Sequence, residues 1–538
     1  MQLTFINTLL YAIVPALALV VRDGSSAPII DLGYAQYQGT TDSATNVTGL
    51  LGIRYADPPT GIFRWQAPRA PSNVTGVQQA ITQPPQCNQA GSGTSPTNPL
   101  PDPGAGSNVK RAALATSEDC LFLNVFFPGS VVPSEPLPVV FWIHGGGYLA
   151  GSASGQNGAD LVRESGNSVI AVVIQYRLGL FGFLPGTKVK EGGALNAGLL
   201  DQDFALQWVQ QHISKFGGDP TKVTIWGESA GAGSVLQHVI ARDGQTDPPL
   251  FRGAITSSTF LPSQYAFNDP VPEFLYSEVV NQANCNTTDD TLACLRGADG
   301  ANLQNINTQI NRAGFFGTFV IVPVVDGDFI TQRATEALKQ GKVNGQALLA
   351  VTNTHEGNAF VNQSTGSTVD VAQYASGLFP GFGDSEGTAA AQAYADVGTP
   401  LDQVNAIMGE SIFICPTYFL LSAFAGRGFK AEFAIPPGGH GEDVNFYFPT
   451  NGVPAFNNSA FVASFADSFL AFVKDQDPNA KFNEADITPA WSLFNTSNTE
   501  MLFNRTEDGQ PDIRSITTDV GVLARCSFWA NMSALTAQ

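Results

Sequence analysis

The chain has 538 residues, 43% of them hydrophobic and 13% charged, which is ample apolar material for a large buried core. A formal net charge of −20, with no basic cluster, argues against nucleic acid or any other polyanion as a partner. Length alone would allow several domains, yet no internal repeat and no linker divides the sequence.

From the amino terminus, residues 5–21 form an apolar run interrupted only by Asn7, Thr8 and Pro15. Ala16-Leu17-Ala18 supplies small residues at the spacing a signal peptidase accepts. Residues 1–18 are expected to be a signal peptide and residues 19–538 a single domain. An uncleaved membrane anchor is the rival, disfavoured by Pro15 and the early small residues; no later stretch approaches the ~20 apolar residues that span a bilayer. Asn-x-Ser/Thr sequons at Asn46, Asn73, Asn286, Asn362, Asn457, Asn495, Asn504 and Asn531 agree with export, and the protein is expected to be secreted and glycosylated. Six cysteines in an exported chain are expected to pair. Sequence alone leaves their connectivity open; the local choice joins Cys87 to Cys120 and Cys285 to Cys294, leaving Cys415 with Cys526. The sequence has no C-x-x-C or H-x-x-x-H cluster, and neither a metal nor a cofactor is expected.

Near-continuous apolar runs at 137–143, 169–175, 223–226, 253–256 and 347–351 predict strands covered on both faces. Between them lie helical segments, notably 196–216 and 232–240. This alternation predicts an α/β fold, a large and mostly parallel central sheet flanked by helices. Pro/Gly/Ser-rich stretches such as 88–107 are expected to be long loop excursions.

Two glycine-rich turns carry chemistry. His144-Gly145-Gly146-Gly147-Tyr148 follows the strand predicted at 137–143, and consecutive glycines let backbone N–H groups converge on a substrate oxygen. Gly227-Glu228-Ser229-Ala230-Gly231 lies between a predicted strand and a predicted helix, the setting of a nucleophile elbow with Ser229 at its apex. An exposed Ser in an ordinary turn is the plain alternative. A serine nucleophile needs a base, and only five histidines are available. In α/β hydrolases the chain order is Ser, then acid, then His. His144 and His212 precede Ser229, His238 sits in the helix after the elbow, and His355 leaves little room for an acid. His440, flanked by Gly438, Gly439 and Gly441, remains. Glu356 follows the strand at 347–351, where α/β sheets place functional groups, and is preferred as the acid over Asp326, which reads as a turn former. The glycine run after His144, completed by the Ala230 N–H that follows the nucleophile, is the expected oxyanion hole.

With these motifs in place, the chain resembles the type-B carboxylesterase/lipase family over nearly its whole mature length. The resemblance rests on Gly52-Ile53-Arg54-Tyr55-Ala56-Asp57-Pro58-Pro59, on Ser117-Glu118-Asp119-Cys120-Leu121-Phe122-Leu123-Asn124-Val125, and on Phe216-Gly217-Gly218-Asp219-Pro220 leading into the elbow. It implies an α/β-hydrolase fold, a triad of Ser229, Glu356 and His440 with Gly146, Gly147 and Ala230 as oxyanion donors, the Cys87–Cys120 and Cys285–Cys294 loops, and an Arg64–Glu118 ion pair. Cys415 and Cys526 fall where cholinesterase-like members carry a third bridge. Glu228 matches a frequent family glutamate and is a candidate for tuning His440. The loop from Cys87 to Cys120 holds no tryptophan, so choline esters are disfavoured. Pro, Gly, Ser, Asn and Thr dominate that loop, with a short, weakly apolar piece at 109–115, which favours an esterase over a strongly interface-activated lipase. Phe315, Phe316 and Phe319 fall where the family suggests an acyl pocket.

The resulting expectation is a secreted serine carboxylic-ester hydrolase of broad substrate range acting on small-molecule or lipid esters, with at most transient contact with a lipid surface. A lidded lipase or sterol esterase and a feruloyl-type esterase are the alternatives, with amide hydrolysis held back by the poorer leaving group. A catalytically inactive adhesion protein is a remote one.

Overall fold

The computed structural model describes residues 26–97, 116–495 and 497–538. The expected leader at residues 1–18 and the weakly apolar piece at residues 109–115 lie outside the described residues. In chain order the strands are β1 (Ser26–Asp31), β2 (Gln36–Asp42), β3 (Val47–Arg54), β4 (Val77–Gln79), β5 (Gln86–Cys87), β6 (Thr116–Ser117), β7 (Phe122–Pro128), β8 (Leu137–Ile143), β9 (Ile170–Ile174), β10 (Gly218–Glu228), β11 (Gly253–Ser257), β12 (Ala347–Asn353), β13 (Gly428–Phe433), β14 (Thr499–Arg505) and β15 (Pro511–Thr517). Thirteen of these form one sheet in the order β1-β2-β3-β7-β9-β8-β10-β11-β12-β13-β14-β15, with β4 beside β2. From β9 to β14 the pairing is parallel throughout, while β1, β2, β3, β7 and β15 add antiparallel flanks and β4 runs parallel to β2. The apolar runs seen in the sequence form the centre: β9 and β11 are buried at every residue, as expected for strands covered on both faces. The antiparallel flanks were not among the predicted strands, because sequences such as that of β2, Gln-Tyr-Gln-Gly-Thr-Thr-Asp, alternate and carry no apolar run.

Helices Ala197–His212 and Ala230–Gly244 cover one face, the first continuing as a 3-10 turn at Ile213–Phe216. Helix Ser459–Asp475 covers the other with Phe461, Phe465, Phe469 and Phe472, buried residues at helical spacing. Phe469 stacks on Trp226 of β10 at 5.4 Å, and Trp226 meets Trp142 of β8 edge-on at 5.4 Å. Aromatic area of this kind contributes strongly to a core and holds β10 against its neighbours. Disulfides join Cys87 to Cys120, Cys285 to Cys294 and Cys415 to Cys526. Arg64 donates from Nε and Nη2 to the two oxygens of Glu118, each at 2.7 Å. Seven sequon asparagines are exposed, whereas Asn504 is half-buried on β14.

Helix Ser459–Asp475 also carries Asp467, whose carboxyl faces that of Asp486; one oxygen of each is buried without an ordinary donor. Main-chain N–H groups of Asn483 at 3.1 Å and Phe482 at 3.4 Å donate to the other Asp467 oxygen, and Lys481 stands 3.5 Å from Asp486. Burial, the hydrogen bond shared with Asp486 and the neighbouring charge push Asp467 up to about 7. Since an unfolded Asp titrates near ~3.9, stability from the shared proton is full below about pH 4 and is lost as pH rises towards 7. Asp467→Asn, which cannot ionise, is expected to flatten the fall in Tm between about pH 4 and 7. Thermal unfolding of both proteins across that range checks this, and an unchanged pH slope would exclude the shared proton.

Candidate active site

The carboxyl ends of the parallel strands lead into one cluster, as crevices of α/β sheets do. Ile143 ends β8 and opens the His144–Tyr148 turn, while Glu228 ends β10 and is followed by Ser229. Ser229 has φ 57° and ψ −123°, a strained conformation for a residue with a Cβ. It is held there by its N–H bond to Ser257 O at 2.9 Å and by close backbone approach. A Cβ at Gly231 would lie 2.0 Å from Ile143 O, so only glycine lets the elbow press against the end of β8. Ser229 is 6% exposed and caps the helix that begins at Ala230.

Glu356 and His440 come from the ends of β12 and β13. Their neighbours, His355 and Gly439, form an isolated parallel bridge, with His355 N–H donating to Gly438 O at 2.8 Å. That pairing brings the two side chains together: His440 Nδ1 lies 2.6 Å from Glu356 Oε2. The other Glu356 oxygen accepts from Ser258 Oγ and Asn353 N–H, both at 2.7 Å. Every lone-pair direction of this buried carboxylate that matters for orientation is thus engaged. His440 Nε2 is buried without a hydrogen-bond partner among the described residues and stands 3.3 Å from Glu228 Oε1. A hydrogen bond from Ser229 Oγ to Nε2 is not formed, and catalytic hydrogen bonds are often long before substrate binds.

The electrostatics are those of one imidazole among carboxyl groups. Burial lowers the His440 pKa, but the charge and hydrogen bond of Glu356, with Glu228 and Asp443 behind them, carry it above its ordinary value. Burial pushes Glu228 up to about 7, the facing imidazole opposing this and Asp443 and Glu356 adding to it. Asp443 is raised by burial, against hydrogen bonds from Tyr447 and from Asn353 Nδ2 at 3.0 Å. Tyr447 OH also meets Ser257 Oγ at 2.7 Å, so the polar network runs under the elbow.

Gly146 and Gly147 have φ of 100° and 65°, and no acceptor among the described residues takes the N–H of Gly146, Gly147 or Ala230. A Cβ at Gly147 would lie 2.0 Å from the Phe319 ring, so the turn, the elbow and the aromatic wall meet at one point. His144 is not a base here: it stacks on Tyr176 at 4.5 Å, and burial lowers it to about 4 against its bond to Gly145 O. His238 is likewise buried, lowered to about 4, and bound to Gln202 at 3.1 Å. His212 packs against Tyr34 and Trp208 away from the cluster, and His355 is exposed. Asp326 spends its carboxylate on its own turn, accepting from Asp328, Phe329 and Ile330 N–H and from Asn196.

An apolar pocket of about 950 Å³, including its open mouth, lies one layer of aromatic rings away from the imidazole. Phe360 and Phe413 line it and reach His440 at ring-centroid distances of 5.0 and 4.5 Å. Phe315 and Phe319 line it too, while Phe316 is not among its lining residues. The segment carrying them is irregular, so no periodicity in the sequence could tell which phenylalanines face inward. Phe260, Phe360 and Phe413 were not singled out from sequence, nor were Ser258, Asn353, Asp443 and Tyr447. A usable signal existed for some: Ser258 and Asn353 sit at the ends of predicted strands.

The carboxylesterase family model matches residues 26–520. Over 505 residues the chain is 31% identical to Lipase 4 of Diutina rugosa, covering 85% of this chain and 89% of that protein. It is 32% identical over 373 residues to Secreted lipase 1 of Botryotinia fuckeliana, covering 67% of this chain and 65% of that one. The crystal structure of Aspergillus niger EstA superposes with a TM-score of 0.83 at 28% identity, covering 95% of this chain and 99% of that one. The chain belongs to the carboxylesterase family and is a carboxylic ester hydrolase of the α/β-hydrolase fold.

Proposed function

We propose that this carboxylic ester hydrolase works through an acyl-enzyme on Ser229, with His440 as general base and Glu356 as the group that orients it. The observation that carries this reading is His440 itself. Its Nδ1 is fastened to a buried carboxylate at 2.6 Å, and its Nε2 is left without a partner next to the residue that precedes Ser229. His440 takes the Ser229 proton as Oγ attacks the ester carbonyl, and the Gly146, Gly147 and Ala230 N–H groups receive the oxyanion. His440 then gives the proton to the departing alcohol oxygen, and water, activated by the same imidazole, releases the acid. Glu356 fixes the tautomer and stabilises the imidazolium without taking the proton.

The apolar pocket supports a bulky aromatic or lipid acyl group, since its lining residues, Phe, Pro, Val, Leu and Ile for the most part, include no charged side chain. The same feature favours a lipase as the second reading. Export is supported by three disulfides, by exposed sequons and by secreted relatives. On this reading the protein is a secreted glycoprotein whose contact with a lipid surface is at most transient.

Hydrolysis of 4-nitrophenyl esters from acetate to palmitate tests both parts. Ser229→Ala is expected to lower turnover by about 10³-fold or more on every ester. Residual activity near wild type would place the nucleophile elsewhere. A wild-type optimum at medium or long chains would match the pocket, and a sharp preference for acetate would count against it. Because Glu228 is one of the charges that raise His440, Glu228→Gln is expected to move the acidic limb of the kcat/KM profile to lower pH. A limb that stays in place would remove Glu228 from the electrostatics of the base.

A further inference from the structure

The wall of the apolar pocket nearest His440 is built on an irregular turn. Between helices Pro400–Gly409 and Cys415–Ala423, residues Glu410–Ile414 form a π-helical turn, which widens the helix and frees carbonyl oxygens on one side. This turn presents Ile412 and Phe413 to the pocket. Beside it Phe260 and Pro262, on either side of Leu261, form the adjoining part of the wall, with the Phe260 and Phe413 rings 5.5 Å apart.

Gln538 joins the two walls. Its side-chain Nε2 donates to Leu261 O at 2.6 Å and to Ser411 O at 2.9 Å. Both partners are carbonyl oxygens, which only accept, so the amide nitrogen and not its oxygen must face them. Gln538 is 3% exposed, and water cannot substitute for it freely. Its own main chain is tied down by Thr335 Oγ1 donating to Gln538 O and by its N–H bond to Ser533 O at 3.0 Å. Leu261 N–H also donates directly to Ile412 O at 2.9 Å, so the Gln538 amide completes a three-bond strap between the walls. Arg525 reinforces the turn from the same helix, Val520–Thr536, pairing with both oxygens of Glu410 at 2.6 and 2.8 Å.

We propose that Gln538 is a positioning residue for acyl selectivity: its amide fixes the spacing between the Phe260–Pro262 wall and the π-helical turn that carries Phe413. The inference rests on the reading that the pocket takes the acyl group. Without the amide, Leu261 O and Ser411 O lose their buried donor and the turn relaxes away from the adjoining Phe260–Pro262 segment. Long acyl chains gain room, while short ones, which do not reach the strap, are affected less.

The test compares Gln538→Ala and Gln538→Leu with wild type on 4-nitrophenyl acetate and decanoate, well below each protein's Tm. The ratio of kcat/KM for decanoate to that for acetate is expected to rise about fivefold in both variants, mainly through KM, somewhat less than the roughly tenfold or more that one methylene of pocket fit commands. Leucine keeps the volume of the stem, so it remains informative if alanine impairs folding. Loss of both activities by one common factor, with the ratio unchanged, would make Gln538 a purely structural residue and overturn the proposal. That result alongside hydrolysis abolished by Ser229→Ala would leave the acyl-enzyme reading intact. Hydrolysis that survives Ser229→Ala would overturn both.

Discussion

A single strained residue sets the terms for the rest of the site. Ser229 sits at φ 57° at the end of a strand pinned by two parallel neighbours and backed by stacked aromatic rings. Backbone strain of order 1–3 kcal/mol persists only where the surroundings over-determine it. Here the surroundings are the sheet itself, since β10 pairs with β8 on one side and β11 on the other through to its last residues. The same registration delivers Ser257 and Ser258 beside the elbow and the glycine turn in front of it. Rigidity of the sheet and placement of the chemistry are one structural fact.

The electrostatics follow from crowding acidic groups around one base. Glu356, Glu228 and Asp443 all bear on His440 and together carry its pKa above the ordinary value against the effect of burial. The three carboxyl groups differ in their hydrogen bonding. Glu356 receives two donors besides the imidazole, whereas Glu228 has no comparable set and is pushed up to about 7. Asp443 is served by Tyr447 and Asn353. The carboxylate with the most donors is the one aligned with Nδ1, and the one with the fewest among the described residues faces Nε2.

The pocket shows how distant parts of the chain serve one cavity. Its walls come from the end of β11, from the segment after residue 314, from the π-helical turn and from Phe360. Two of its phenylalanines also pack on the catalytic candidate His440, so the pocket wall and the imidazole position share side chains. In a close-packed interior a change in that wall is transmitted to the imidazole.

Sequence reasoning reached far because its signals are local. Apolar runs at 137–143 and 347–351 coincide with or begin the strands they predict, since a strand buried on both faces needs an unbroken apolar composition. The Gly-x-Ser-x-Gly and His-Gly-Gly-Gly turns were legible because backbone crowding at the elbow admits only glycine at Gly231. Chain order and the small number of histidines singled out His440. Other supports were illegible: Asp443 and Tyr447 act on residues up to about two hundred positions away, and nothing local marks them. Nor could an irregular loop reveal that Phe315 and Phe319 face the cavity and Phe316 does not. The sequence by itself determined the elements, the strained turns and the types of group available, because period, crowding and chain order are properties of neighbours. The tertiary structure alone decided which carboxylate meets which nitrogen, which rings wall the pocket and what straps them together, because those contacts depend on the β9-β8-β10-β11-β12-β13 order that brings distant segments to one edge.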